Sequence, residues 1–422
     1  MAEPTIRIRH QSRFRPVAAG TFHVLLRVTA PPAMRQARTR PPLDVAFVVD
    51  RSGSMSGGAF DLARQGVEHA LRLLDERDSV SVVVYDDRID TLLTQRLLER
   101  DARNKAIRRL RRVGPRGSTD LAGGWLTGCD QLAPIADDSR PLRRDGARSI
   151  VRTLLLTDGL ANVGMTNHDE IAMHAGELAR RGISTSTFGT GAGYDEDLLA
   201  RMADAGRGHF HHIPNAAAIP EVFAGELGEM LELALRDVTL SLRLPAGWQG
   251  SLMNDLPLER HGDWIRLSLG EMASLESRSL LWELSLPASV DGRIDEIEIQ
   301  LDGVDAISDL PFVVKAPHPI ETSTVPGRPD REVLDELAQM IGARARAEAV
   351  RYNKLGQFDR AGEVVLQAAR SMPQTETGQA AARELIDVVL PGTGHAASPA
   401  QLKQHYARSR NLQRSRKDYS ER

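Results

Sequence analysis

Several features that define large protein classes are scarce in this chain of 422 residues. It contains one cysteine, Cys129, which excludes an intramolecular disulfide, and we expect that thiol to be buried in a helix and unreactive. No apolar run approaches the roughly 20 residues needed to span a bilayer. Residues 1–30 also lack the apolar core and cleavage pattern of a secretion signal. The sequence therefore predicts a soluble, cytoplasmic protein without a membrane span.

The chain also lacks an excess of charge of either sign. It contains 54 Lys and Arg residues and 57 Asp and Glu residues, and the net charge is −3. A nucleic-acid-binding domain usually carries a basic surface, so we expect no nucleic-acid partner. Two Gly-containing segments, residues 114–119 and 189–193, lack the Lys that a P-loop requires. A P-loop nucleotide hydrolase is therefore excluded.

The most informative segment that is present is an apolar run, residues 45–49, followed by Asp50, Ser52 and Ser54. A short apolar run bounded by polar residues is typical of a central strand in a parallel sheet that is covered on both faces. Ligands bind beyond the carboxyl ends of such strands. The loop after this strand therefore presents one carboxylate and two hydroxyls where a ligand is expected.

Two later segments add oxygen ligands. Thr119 lies in a Gly-Ser-Thr-Asp sequence that precedes an apolar, helical run, and Asp158 follows a second apolar strand, residues 151–157. Hydroxyl and carboxylate oxygens are the ligands that Mg²⁺ prefers. The sequence therefore predicts that three loops together form an oxygen-rich cation site. The alternative is that these residues only cap helices and turns.

Strand and helix patterns alternate through this part of the chain, as βαβ units require. The pattern predicts an α/β fold with a doubly wound, mostly parallel sheet. Beyond the two apolar strands, the predicted elements are residues 61–74, 79–85, 170–181, 183–189, 196–205, 208–213 and 223–235.

The motif Asp-x-Ser-x-Ser, followed by Thr and then Asp, resembles the metal-ion-dependent adhesion site (MIDAS) of von Willebrand factor A (VWA) domains, and the resemblance covers residues 41–235. It implies a Rossmann-like fold and a bound Mg²⁺, or Mn²⁺ or Ca²⁺. The hydroxyls would bind the metal directly, the carboxylates often through water, and a protein partner would add an Asp or Glu. The implied metal ligands are Asp50, Ser52, Ser54, Thr119 and Asp158.

The resemblance implies a non-enzymatic, metal-dependent protein-binding module for adhesion or scaffolding, of the bacterial intracellular type. Arg51, Met55 and residues 160–165 would select the partner, and residues 223–235 would move with ligand occupancy. One alternative is an accessory subunit of an AAA+ ATPase machine of the chelatase or metal-centre insertion type. Others are a metal-activated hydrolase and a scaffold that does not use its metal. A haloacid-dehalogenase-type phosphatase is excluded because Ser52 stands where it needs a second acid.

The flanking segments have different periodicities. Short alternating strands before and after the VWA-like region predict a β-sandwich into which that region is inserted. Helical periodicity near the C-terminus predicts a hairpin or bundle, with a tetratricopeptide repeat as the alternative. The predicted divisions are N-terminal sandwich strands at 1–40, the VWA region at 41–235, the sandwich at 236–316, a linker at 317–329, helices at 330–390 and a basic, disordered tail at 391–422.

Two other groups of residues have alternative interpretations. Strand alternation places His209 and His211 on one face, and although this spacing allows a second metal site, we expect a structural role because the resembled family has a Gly-aromatic segment here. Asp120 is expected to interact with a helix N-terminus, and the alternative is a hydrogen bond to a metal-bound water.

Overall fold

The structure is a computed structural model that describes residues 3–33, 40–136 and 149–415. These residues form two compact units, and the second unit is inserted in the sequence of the first. The first unit begins with three strands and resumes at Leu233. Its N-terminal strands are β1 (Thr5–His10), β2 (Arg15–Pro16) and β3 (Gly20–Thr29).

The inserted unit contains alternating strands and helices. In chain order they are β4 (Leu43–Asp50), α1 (Ala59–Leu73), β5 (Ser79–Tyr85), β6 (Ile89–Leu97), α2 (Arg100–Leu110), α3 (Leu121–Ala136), β7 (Ile150–Thr157), α4 (His168–Arg180), β8 (Ser184–Thr190), α5 (Glu196–Ala205), β9 (Arg207–Ile213) and α6 (Ile219–Leu231).

The strands of the inserted unit form one sheet in the order β6-β5-β4-β7-β8-β9. All neighbouring strands are parallel except β6, which is an antiparallel edge strand. Every residue of β4, β5, β7 and β8 is buried, as expected for parallel strands covered on both faces. The predicted doubly wound α/β fold is therefore confirmed.

Strand order reverses between β4 and β7. The chain passes from β4 to β5 on one side, and β7 then pairs with the other side of β4. Such a switch point leaves a crevice beyond the carboxyl ends of the two strands, because their connections leave in opposite directions. Asp50 is the last residue of β4 and Asp158 directly follows β7, so both lie at this crevice.

The first unit continues with eight strands: β10 (Leu233–Arg243), β11 (Gln249–Leu252), β12 (Leu258–His261), β13 (Trp264–Ala273), β14 (Ser277–Leu286), β15 (Ile294–Asp305), β16 (Pro311–Lys315) and β17 (His318–Ser323). One sheet has the order β1-β3-β14-β11, and the other has the order β12-β13-β10-β15-β17-β2, with β16 also on β15. Both sheets contribute to one apolar core, for example through Leu26, Trp282, Leu240 and Leu301. The predicted β-sandwich is present, and β3 pairs with β14 along its whole length.

The C-terminal helices are α7 (Arg331–Lys354), α8 (Phe358–Arg370), α9 (Glu376–Glu384), which continues as one π-helical turn to Val389, and α10 (Pro399–Gln413). Asp330 caps α7 by accepting hydrogen bonds from the amides of Glu332 and Val333. Val333 then packs with Leu25 and Leu281 of the β3-β14 sheet. Among the described residues, none of the helices is long and apolar enough to cross a membrane.

Two predictions about the C-terminal part are wrong. The predicted linker at 317–329 contains β17, which pairs with β15. The predicted disordered tail at 391–422 contains α10, whose first turn has a capping box formed by Ser398 and Gln401. Arg408 of α10 pairs with Glu384, at 2.7 Å between nitrogen and oxygen. This segment is therefore helical and has a partner on α9, and residues 416–422 lie outside the described residues.

Candidate metal-binding site

Asp50 is at the centre of the candidate site. Its side chain is fully buried at the end of β4, and both carboxylate oxygens have a fixed donor. The Ser52 amide donates to Oδ1 at 2.7 Å, and the Thr157 hydroxyl donates to Oδ2 at 2.6 Å. Burial raises the pKa of Asp50 to about 6, against the lowering effect of these hydrogen bonds. A nearby cation would therefore favour the carboxylate form that burial disfavours.

Ser52 and Ser54 connect Asp50 to Asp158. The two serine Oγ atoms lie 3.0 Å apart, and the Ser54 hydroxyl donates to Asp158 Oδ1 at 2.6 Å. The loop makes one 3₁₀ turn from Gly53 to Met55, and the fully buried Met55 side chain anchors it. Burial also raises the pKa of Asp158. Hydrogen bonds thus link the Asp50, Ser52 and Ser54 loop to Asp158, the acid that follows β7.

Thr119 lies in the loop that leads into α3. Its amide donates to Asn162 Oδ1 at 2.9 Å, and its carbonyl accepts from the Asn162 amide at 3.2 Å. The Gly53 amide donates to the carbonyl of Gly117 at 3.1 Å, which joins this loop to the serine loop. Asp120 accepts a hydrogen bond from the Gly123 amide at 2.9 Å, so it interacts with the first turn of α3.

Gly159 shows that oxygens from three segments face one space. A Cβ atom built on Gly159 would lie 3.4 Å from Ser54 Oγ, 3.4 Å from Thr119 Oγ1 and 4.0 Å from Asp50 Oδ2. Gly159 is not among the glycines with positive φ, so its backbone conformation does not require glycine. Its missing side chain leaves room among the oxygens. Two carboxylates and three hydroxyls are a donor set that suits Mg²⁺, Mn²⁺ or Ca²⁺.

The rim of the site differs from the prediction. Arg51 is buried and its Nε lies 3.1 Å from Asp86 Oδ2, and Met55 is buried completely. Neither side chain can select a partner, so that part of the prediction is wrong. The loop after Asp158 agrees better, because the side chains of Leu160 and Val163 are 55% and 36% exposed.

Sequence reasoning missed two residues that position the site. Thr157 binds Asp50, and Asn162 holds both backbone groups of Thr119. Both lie within four residues of Asp158, but a hydroxyl or an amide near a motif does not indicate its partner. These contacts become visible only when β4, β7 and the Thr119 loop are brought together.

Comparisons with known proteins agree with this fold. Residues 44–225 match the von Willebrand factor type A domain family. The chain is 27% identical to the uncharacterized protein YfbK of Escherichia coli over 280 residues, which are 63% of this chain and 46% of YfbK. It is 24% identical to the uncharacterized Synechocystis protein sll0103 over 346 residues, which are 78% of this chain and 77% of that protein. The chain thus spans about half the length of YfbK.

Two solved structures share the fold over almost the whole chain. A von Willebrand factor type A protein from Catenulispora acidiphila aligns with 96% of each chain, a TM-score of 0.69 and 17% identity. The ArnB paralog VWA2 from Sulfolobus acidocaldarius aligns with 99% of each chain, a TM-score of 0.56 and 14% identity. Residues 44–225 of this chain therefore match the von Willebrand factor type A domain, and the chain is similar to bacterial proteins such as YfbK.

Proposed function

We propose that the VWA domain binds a protein partner through a divalent metal ion held at its MIDAS. VWA domains are known protein-interaction modules and are often metal-dependent. The observation that supports the proposal is the open space beside Gly159, which oxygens of Ser54, Thr119 and Asp50 surround. An open space among oxygen ligands at a sheet switch point is suited to a hard cation.

The metal would be held by the hydroxyls of Ser52, Ser54 and Thr119 and by the carboxylates of Asp50 and Asp158. We favour Mg²⁺, with Mn²⁺ or Ca²⁺ as alternatives that accept the same oxygen donors. When bound, the cation supplies a positive charge that neutral hydroxyls do not cancel. An Asp or Glu side chain from a partner can then add an anionic ligand, which makes partner binding depend on the metal.

The loop from Leu160 to Val163 would supply part of the contact with the partner. Leu160 and Val163 are exposed, and Asn162 between them is bonded to both backbone groups of Thr119. The same short loop therefore carries apolar contact area and supports a metal ligand. This coupling favours a partner that combines a carboxylate with a small apolar surface.

The other functions receive less support. A hydrolase would need a base beside the metal, whereas the hydrogen bonds described above for Asp50, Ser52, Ser54 and Asp158 are with hydroxyls, a backbone amide and each other. The names of the relatives above do not indicate an AAA+ machine. A scaffold that does not use its metal predicts no effect of a chelator.

An affinity experiment tests the proposal. The immobilised full chain is incubated with host extract in Mg²⁺ or EDTA, using wild type, Thr119→Ala and Thr127→Ala. Thr127 is the control because its hydroxyl bonds the Gly123 carbonyl within α3. We expect a partner retained in Mg²⁺ by wild type and by Thr127→Ala, but not by Thr119→Ala or in EDTA. Equal retention by Thr119→Ala would show that the MIDAS is not the binding centre.

A further inference from the structure

A second group of metal-ligating side chains lies away from the MIDAS, between β9 and α6. The ring nitrogens His209 Nδ1 and His211 Nε2 each lie 2.9 Å from Glu226 Oε2. The three ligand atoms lie within 4.8 Å of one another. Glu229 Oε2 is 3.5 Å from His209 Nδ1, which adds a second carboxylate.

The local secondary structure explains why these side chains meet. Residues two apart on a strand share a face, which places His209 and His211 side by side on β9. Residues three apart on a helix also share a face, so Glu226 and Glu229 of α6 point in the same direction. The sequence motif alone contains only the two histidines. The carboxylates come from a helix that begins six residues after β9 ends.

The carboxylate of Glu226 is held in place by its other oxygen. Oε1 accepts hydrogen bonds from Arg152 Nη1 at 2.7 Å and from Ser186 Oγ at 2.6 Å. Arg152 and Glu226 are almost fully buried. Oε2 is thereby directed toward both imidazoles, and the His211 ring is also stacked on Phe188, with centroids 4.8 Å apart. Supporting contacts of this kind orient metal ligands in proteins.

We propose that His209, His211 and Glu226, with Glu229 as the fourth ligand, form a second metal site for a borderline transition metal such as Zn²⁺. Two imidazoles and two carboxylates match the tetrahedral N and O ligand sets of Zn²⁺. Mg²⁺ prefers the oxygen ligands of the MIDAS, so the two sites differ in their metal preference. The metal replaces the protons that link the imidazoles to Glu226 and joins α6 to β9.

Co²⁺ is a suitable probe because it replaces Zn²⁺ and absorbs visible light when it is bound tetrahedrally. The full chain without a histidine tag is titrated with Co²⁺ in excess Mg²⁺, so that the MIDAS is supplied with its preferred ion. We expect visible bands that saturate at one equivalent in wild type. His209→Gln and His211→Gln should each weaken Co²⁺ binding at least about tenfold, since a ligand is lost. Zn²⁺ should remove the bands by competition.

Two controls separate this proposal from others. His261→Gln changes an exposed histidine on β12 and should bind Co²⁺ like wild type. Asp50→Asn alters the MIDAS and should also retain the bands. This test is therefore valid even if the MIDAS does not bind a metal. Melting curves show whether each variant is folded. Because His209 is partly exposed, His209→Gln should disturb the core less than His211→Gln. Absence of bands in wild type, or unchanged affinity in folded His209→Gln, would overturn the proposal.

Discussion

Replacing Gly159 with alanine should remove metal binding without harming the fold. The added methyl would lie 3.4 Å from Ser54 Oγ and from Thr119 Oγ1, which is ordinary van der Waals contact. Gly159 does not have a positive φ, so alanine can adopt its backbone conformation. We expect a Mg²⁺ ion about 2.1 Å from the same oxygens to lie beside Gly159, where the methyl would crowd it. The variant should therefore be stable but unable to bind the ion.

Compared with wild type, Gly159→Ala should have a higher free energy of unfolding without metal and a lower one in Mg²⁺. Without metal, Gly→Ala at a compatible site stabilises a protein by about 0.4–1 kcal/mol, chiefly by restricting the unfolded chain. At Mg²⁺ concentrations of about 100 times Kd, wild type gains about 2.7 kcal/mol from binding and the variant gains almost none. For a unit of this size, that gain corresponds to roughly 5–10 °C in Tm. The order of the two melting temperatures should therefore reverse when Mg²⁺ replaces EDTA.

Thermal melts of wild type, Gly159→Ala and Gly228→Ala in EDTA and in Mg²⁺ test this reasoning. Gly228 is the matched control because it lies in α6 and a Cβ there meets no atom within 4 Å. Gly228→Ala should stabilise the protein slightly in both conditions and keep the full response to Mg²⁺. A Gly159→Ala variant that gains as much from Mg²⁺ as wild type would refute the proposed metal position.

Three further predictions follow from the same contacts. Burial raises the pKa of Asp50 from 3.8 to about 6. Without metal, the free energy of unfolding should therefore fall by on the order of 3 kcal/mol as pH rises through this range, because the native state binds the proton more tightly than the unfolded state. Urea unfolding in EDTA should show this pH-dependent loss in wild type but not in Asp50→Asn. Glu226→Gln should lower the free energy of unfolding by about 3–5 kcal/mol, because it removes the charge that pairs with the buried Arg152 at 2.7 Å, whereas Glu229→Gln should unfold at nearly the wild-type urea concentration. Leu160→Ser should weaken partner binding in affinity assays without changing Mg²⁺ affinity in calorimetry.

The fold of the inserted domain could be predicted where burial dominates the sequence pattern. Strands β4, β5 and β7 are buried along their whole length and appear in the sequence as apolar runs. Helix α2 was not predicted, because it is rich in arginine and two of its four buried residues are alanines. A small side chain on a charged helix gives too weak a periodic signal to indicate a buried face.

The candidate site was predictable to the extent that its residues form a linear motif. Asp50, Ser52 and Ser54 are close in sequence, and the switch point explains why Asp158 lies beside them. Tertiary contacts determine the rest. Arg51 is polar and lies inside the motif, yet Asp86 holds it in the interior. Glu226 likewise has no sequence signal that relates it to the two histidines.

Calorimetric titration of Mg²⁺ and Mn²⁺ into wild type and Asp50→Asn tests the central claim most directly. The substitution keeps the shape of a side chain whose oxygens accept hydrogen bonds from Ser52 and Thr157, but it removes the charge. The account predicts one binding event in wild type, weak because the ligand set lacks the partner carboxylate, and at least about tenfold weaker binding in folded Asp50→Asn. Equal binding by the two proteins would contradict the claim that these residues form a metal site.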